Sequence, residues 1–263
     1  MALAALLGLS AGCRESIERG FIYHPVRALA GDPGDVGLTF RDLTFTSEDG
    51  VRLHGWLVPG RLPTTLLWCH GNAGNISHRL DNIRLIADEL RVGVFIFDYR
   101  GYGRSEGVPS EAGLALDARA ARAALVTAGV SGERVVFFGR SLGAAVALGL
   151  ALSQPPRALV LESPFLSIPA MADTMLPGAG FLVHTRWDSS ARIASLRAPL
   201  LVLHGDADEV VPFAQGRALF DKAPAPKVFH TIAGARHNDT YLAGHGYWSA
   251  WRGFLREHGL LEP

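Results

Sequence analysis

From Leu38 onward the chain alternates short, continuous apolar runs with longer stretches of helical period, and it does so six or seven times. The apolar runs TTLLWC, VGVFIFD, RVVFFG, RALVLE and PLLVLHG are uninterrupted by polar residues in alternate positions, as in strands covered on both faces. Between them lie helical stretches such as Ile76–Leu90, with apolar residues at 76, 80, 83, 86, 87 and 90. Ser110–Thr127 is a second, with Ser110 placed as its N-cap. AAVALGLALS, Phe213–Lys222 and Tyr247–His258 complete the series. Such alternation restricts the fold to an α/β class: a mostly parallel central sheet with helices on both faces. A hairpin precedes it, LTFRDLTFTSEDG and VRLHGWLVPG, turning at Asp49-Gly50.

Two segments fall outside this rhythm. Residues 164–197 lie between two strands, carry scattered apolar side chains and are long for a crossover. They are expected to form a short cap over the carboxyl edge of the sheet, where open α/β sheets bind ligands; an ordinary crossover helix with irregular ends is the alternative. Residues 1–20 begin with the apolar MALAALLGLSAGC, too short to span a bilayer and lacking a basic start. The remainder, 21–263, reads as a single domain. LSAGC is similar to a bacterial lipoprotein processing site, with Ser10 where that motif usually has Leu. One reading is therefore a lipid anchor at Cys13, with peripheral membrane association on the periplasmic side. The other is an apolar extension on a cytoplasmic protein.

Charge excludes one class of partner. Lys+Arg and Asp+Glu number 25 each, so there is no concentrated positive field for a nucleic acid. Two cysteines, Cys13 and Cys69, make no disulfide framework. No His/Cys/Asp cluster has metal-ligand spacing; His70 and His78, eight apart across glycines, are a weak signal. The glycine loops lack the GK[ST] ending of a nucleotide site. No metal or cofactor is expected.

The pattern G-x-S-x-G occurs three times, at Gly8–Gly12, Gly103–Gly107 and Gly139–Gly143. A nucleophilic serine on this pattern needs a strand running directly into a tight turn and then directly into a helix. The first copy lies in the targeting-like segment. The second, GRSEG, is followed by Val108-Pro109, which defers its helix. Only GRSLG has RVVFFG before it and a helical run after it, which selects Ser141 over Ser105. A serine needs a base, and the base an orienting acid. His237, in the glycine-rich turn after the last strand, is the expected base, with His245 the alternative. Glu162, Asp206 and Asp208 all follow strands, and spacing does not choose between the two aspartates. The oxyanion donors are expected to be the main-chain amides of Leu142 and of Asn72, in the loop His70–Asn75. Cys69 sits mid-strand and reads as a buried, inert thiol.

In order, HGNAGN, DYRGYGRSEG, GRSLG, LESPF, HGDADEVVP and GARHND resemble the α/β-hydrolase fold serine hydrolases over roughly residues 21–260. They are most similar to the compact branch containing the animal protein depalmitoylases and bacterial esterase-like proteins. The resemblance implies that Asp208 is the orienting acid and that GRSEG is a structural loop with Ser105 as a bracing hydroxyl. The chain lacks the cysteine cluster of the animal depalmitoylases. The expected reaction is hydrolysis of small esters or thioesters of short to medium acyl chains through an acyl-enzyme on Ser141. A peptidase or carbon–carbon bond hydrolase on the same triad, and a binding protein on a hydrolase scaffold, are the rivals.

Overall fold

The apolar runs become the interior strands of an eight-stranded sheet. A computed structural model describes residues 11–262, with side chains from residue 16. The expectations for Ser10 and for the Cys13 thiol lie outside the described residues.

The described residues begin with helix α1 (Ala11–Ile22), which crosses the boundary expected at residue 20. Strand β1 (His24–Pro25) forms a two-stranded parallel ribbon with β5 (Ala73–Gly74). The hairpin follows as β2 (Arg41–Thr46) and β3 (Arg52–Val58), antiparallel, with Gly50 at φ 85° in the turn. The parallel strands are β4 (Thr65–Cys69), β6 (Gly93–Asp98), β7 (Val135–Arg140), β8 (Ala158–Glu162), β9 (Leu200–Gly205) and β10 (Lys227–Ile232). Their order is β10-β9-β8-β7-β4-β6-β3-β2. Strand β3 runs against β6, so the hairpin forms an antiparallel edge on a parallel sheet.

Alternation along the strands divides the core in two. Leu67, Phe137, Leu159 and Val202 point to a layer containing Leu114, Ala118 and Leu125 of α3 (Glu111–Thr127) and Val146 and Leu150 of α4 (Leu142–Ser153). Leu66, Trp68, Phe138 and Val160 point to a layer with Ile83 and Ile86 of α2 (Leu80–Glu89) and Trp251 and Phe254 of α8 (His245–Glu257). The region expected to be one helix from Ile76 begins instead as a 3-10 turn, Ile76–Arg79. Asn75 caps it, accepting from the Ser77 amide, and α2 proper starts at Leu80. Ser110 caps α3 through the Gly113 amide, as its sequence position predicts. Residues 164–197 hold α5 (Ile168–Met175), a 3-10 turn at Ala179–Leu182 and the short α6 (Ser189–Arg192). Helix α7 (Phe213–Lys222) follows β9. Among the described residues no helix is long and apolar enough to cross a membrane.

Candidate active site

Strand β7 sits in the centre of the sheet and passes into α4 through Ser141 alone. Ser141 has φ 54° and ψ −121°, a conformation a side chain adopts only under constraint. The constraint is visible on both sides. The Ser141 amide donates to the Glu162 carbonyl at 2.9 Å, and the Ser141 carbonyl accepts from Ala144 at 2.9 Å. Close approach of helix to strand requires the two glycines of the motif. A Cβ on Gly143 would lie 1.9 Å from the Cys69 carbonyl oxygen, and one on Gly139 would lie 2.3 Å from the Gly143 carbonyl oxygen. The serine hydroxyl is thereby held at the start of a helix, where the first amides have no intrahelical acceptor and the dipole is positive.

Asp208 follows β9 and His237 follows β10, and the two side chains meet. His237 Nδ1 lies 2.8 Å from Asp208 Oδ2 and 3.0 Å from Oδ1. The amides of Val210 and Val211 donate to Asp208 Oδ1 at 2.9 and 2.8 Å. Buried His204 places Nε2 3.3 Å from Asp208 Oδ2. Burial by itself raises the Asp208 carboxyl. Hydrogen bonds from His204 and His237, the His237 charge and the Val211 amide outweigh it and hold the carboxyl far below the ordinary carboxylate range. Asp208 thus stays ionised beside His237.

The other candidates are elsewhere. Asp206 accepts from the Gly234 amide at 2.6 Å. His245 opens α8 beside Ser249. Glu162 is buried, accepts from the hydroxyls of Thr240 and Tyr247 at 2.6 Å each, and pairs with Arg140 at 3.0 Å. Arg140 was not singled out by sequence. Its guanidinium also donates to the His237 carbonyl and to Asn238 Oδ1, so the residue before Ser141 ties the strand end to the His237 loop. A cation ending the apolar run VVFFG is the signal that such a partner exists.

The loop after β4 lies against Ser141: a Cβ on Gly71 would sit 3.7 Å from Ser141 Cβ. The Asn72 side chain donates to the Ile22 carbonyl at 3.0 Å, and the Asn72 carbonyl accepts from the Tyr102 hydroxyl at 2.7 Å. His70 is fully buried, with Nδ1 2.7 Å from the Gly71 carbonyl, and burial drives its pKa down to about 4. His78 instead meets Asn75. Among the described residues no three His, Cys, Asp or Glu side chains converge as metal ligands. Cys69 is buried and free, its thiol pushed up to about 12 by burial. Ser105 is also buried; its hydroxyl donates to the Asp98 carbonyl at 2.6 Å and accepts from the His54 amide at 2.9 Å. It is a brace between strand and loop. Arg100 of the same DYRGYGRSEG stretch pairs with Asp117 and Asp49 at 2.7 Å each.

Ser141, Leu142 and Asn72 open on an apolar pocket of about 590 Å³, within the size range of small-molecule sites. Its far walls are Ile168, Met171, Met175 and Leu176 of the 164–197 segment and Ile17, Phe21 and Ile22 of α1. Glu18 fastens these walls together, accepting from the amides of His184 and Thr185 and from the Thr185 hydroxyl at 2.8–2.9 Å.

Residues 63–189 and 179–240 match the family model described as serine aminopeptidase, S33. An uncharacterized protein of Mycobacterium tuberculosis is 40% identical over 253 residues, covering 94% of this chain and 90% of its own. The alpha/beta hydrolase domain-containing protein WAV2 of Arabidopsis thaliana is 38% identical over 251 residues, covering 86% and 82%. Among solved structures, the esterase Pf2001 of Pyrococcus furiosus superposes with a TM-score of 0.75 at 21% identity, over 90% of this chain and 98% of that one. The expected α/β-hydrolase fold is thereby shown.

Proposed function

Because the chain belongs to the α/β-hydrolase family described as serine aminopeptidase, S33, we propose that it is a serine hydrolase of carboxylic esters, acting through an acyl-enzyme on Ser141. The observation that carries this reading is the coupling of His237 to ionised Asp208, with the His237 carbonyl held by Arg140, the residue before a strained Ser141 that opens on an apolar pocket. In this account His237 takes the Ser141 proton as the hydroxyl attacks the acyl carbonyl. Asp208 fixes the imidazole with Nδ1 toward it, which leaves Nε2 for the serine, and stabilises the imidazolium. The Leu142 and Asn72 main-chain amides receive the oxyanion, each donor contributing about 3–4 kcal/mol. His237 then protonates the leaving alcohol, and a water deprotonated by His237 cleaves the acyl-enzyme, regenerating Ser141.

The family description makes amide cleavage the second reading. An aminopeptidase must hold a substrate ammonium, which calls for a free carboxylate in the pocket. Glu18 is the one carboxylate among the lining residues, and it is occupied by His184 and Thr185. Apart from Asn72 and Ser141 at the reacting end, the remaining lining is apolar, which suits an acyl chain. The test is parallel turnover of p-nitrophenyl butyrate and of aminoacyl p-nitroanilides by the wild type and by Ser141→Ala. Ester turnover that is lost in the variant supports the proposal. Anilide turnover at equal or greater kcat/KM overturns it in favour of the peptidase.

A further inference from the structure

Just over half of the large exposed apolar side chains among the described residues are gathered at one place. Of the eleven large apolar residues exposed among the described residues, five line the rim of the Ser141 pocket. These are Ile17 and Phe21 of α1, Met175 and Leu176 at the end of α5, and Val210 after β9. Phe181 is the sixth of the group. It lies in the 3-10 turn whose Ala179 and Leu182 line the same pocket, and that turn is fixed to α5 by the Gly180 amide donating to Asp173 at 2.7 Å. Met175, Phe21 and Phe181 are 87%, 77% and 74% exposed. Large apolar side chains standing this far into water, clustered on three elements around one pocket, mark a surface that something covers.

We propose that the covering partner is a lipid surface, on which the protein docks with its pocket mouth facing the membrane. Three observations select a bilayer over a protein. The rim surrounds the pocket onto which Ser141 opens, so a second copy seated on it would block substrate there, whereas a lipid layer covers the rim and supplies apolar chains to the pocket. The rim comes from α1, and the sequence that enters α1 carries no charge from residue 2 to residue 13. The six side chains bring no charge of their own, so burial in the acyl boundary needs no desolvation of an ion. Docking in this form stands on the rim and not on the identity of the bond cleaved, so it is testable independently of the ester reading.

The experiment is flotation of the full chain with phosphatidylcholine vesicles, comparing the wild type with Phe181→Asp. Phe181 lies outside the pocket lining, so turnover of water-soluble p-nitrophenyl acetate and the melting temperature serve as controls for folding. Withdrawing one such side chain from the lipid, and placing a charge there, is expected to lower the vesicle-bound to free ratio by roughly tenfold or more. Flotation of the wild type, with that loss in Phe181→Asp and unchanged acetate turnover, is the expected result. If Phe181→Asp floats as the wild type does, attachment runs through the N-terminal segment alone and the proposal fails. A wild type that does not float overturns it as well, as does a wild type that is instead a dimer dissociated by Phe181→Asp. If flotation behaves as expected and neither protein turns over any ester, docking stands and the ester reading falls.

Discussion

The tightest contact at the site gives the sharpest prediction. In Gly143→Ala the new methyl would sit 1.9 Å from the Cys69 oxygen and 2.6 Å from that of His70. Strand β4 is paired on both sides, to β6 and β7, so it cannot give way and α4 must withdraw. Restoring ordinary van der Waals contact takes a shift of about 1.5 Å. That shift carries Ser141 and Leu142, the first residues of the helix, away from the Asn72 loop and His237. Overpacking of this kind costs about 1–3 kcal/mol of stability, a fall of several degrees in Tm at this chain length. A displacement near 1 Å at reacting groups costs roughly 100-fold in rate. Gly149→Ala is the matched control: it lies in the same helix, and a Cβ there first meets the Arg192 guanidinium at 3.5 Å. It should be neutral or gain up to about 1 kcal/mol from helix propensity. Thermal melts and kcat/KM for p-nitrophenyl butyrate on both variants decide the matter. A Gly143→Ala protein that melts and hydrolyses like the wild type would refute the claim that helix–strand contact sets the serine.

Three further outcomes follow from the same geometry. Ser105→Ala should keep activity yet lose about 1–3 kcal/mol of stability, because the buried His54 amide loses its acceptor; urea unfolding measures this. In the native protein Cys69 should resist iodoacetamide at pH 8, since burial pushes its thiol to about 12, and peptide mass mapping should find it alkylated only after denaturation. The Asp208 carboxyl lies lower in the folded than in the unfolded chain. Its contribution to stability is therefore fully present above the unfolded value of about 3.9 and declines as pH falls below it. Urea unfolding at pH 7 and pH 3.5 should show a smaller acid-induced loss in Asp208→Asn than in the wild type.

The sheet was legible because strands covered on both faces must be apolar throughout, as TTLLWC and RVVFFG are, and helices facing them must repeat at 3.6. The serine turn was legible because it is local: strand, Ser141 and helix are contiguous, and Gly139 and Gly143 mark the contact. What spacing left open was long-range. Asp206 and Asp208 are two residues apart, and only the fold places one at the Gly234 amide and the other at His237. The Arg140–Glu162 pair, with Thr240 and Tyr247 upon it, joins the ends of β7 and β8 to the chain after β10 and to α8, and leaves no periodic trace. The entry of α1 into the pocket wall was equally hidden. Its residues Ile17 and Phe21 stand among charged neighbours in RESIERGFI, and their role appears only when the Glu18 carboxylate meets His184 and Thr185 across 166 and 167 residues.

The central claim is that Ser141, alone among the serines, is an activated nucleophile. The most direct measurement is to treat the purified protein with a fluorophosphonate and locate the adduct by peptide mass spectrometry. The account predicts one adduct, on Ser141, absent from Ser141→Ala and much slower to form in His237→Ala. An adduct on Ser105, or none at all on a folded protein, would contradict it.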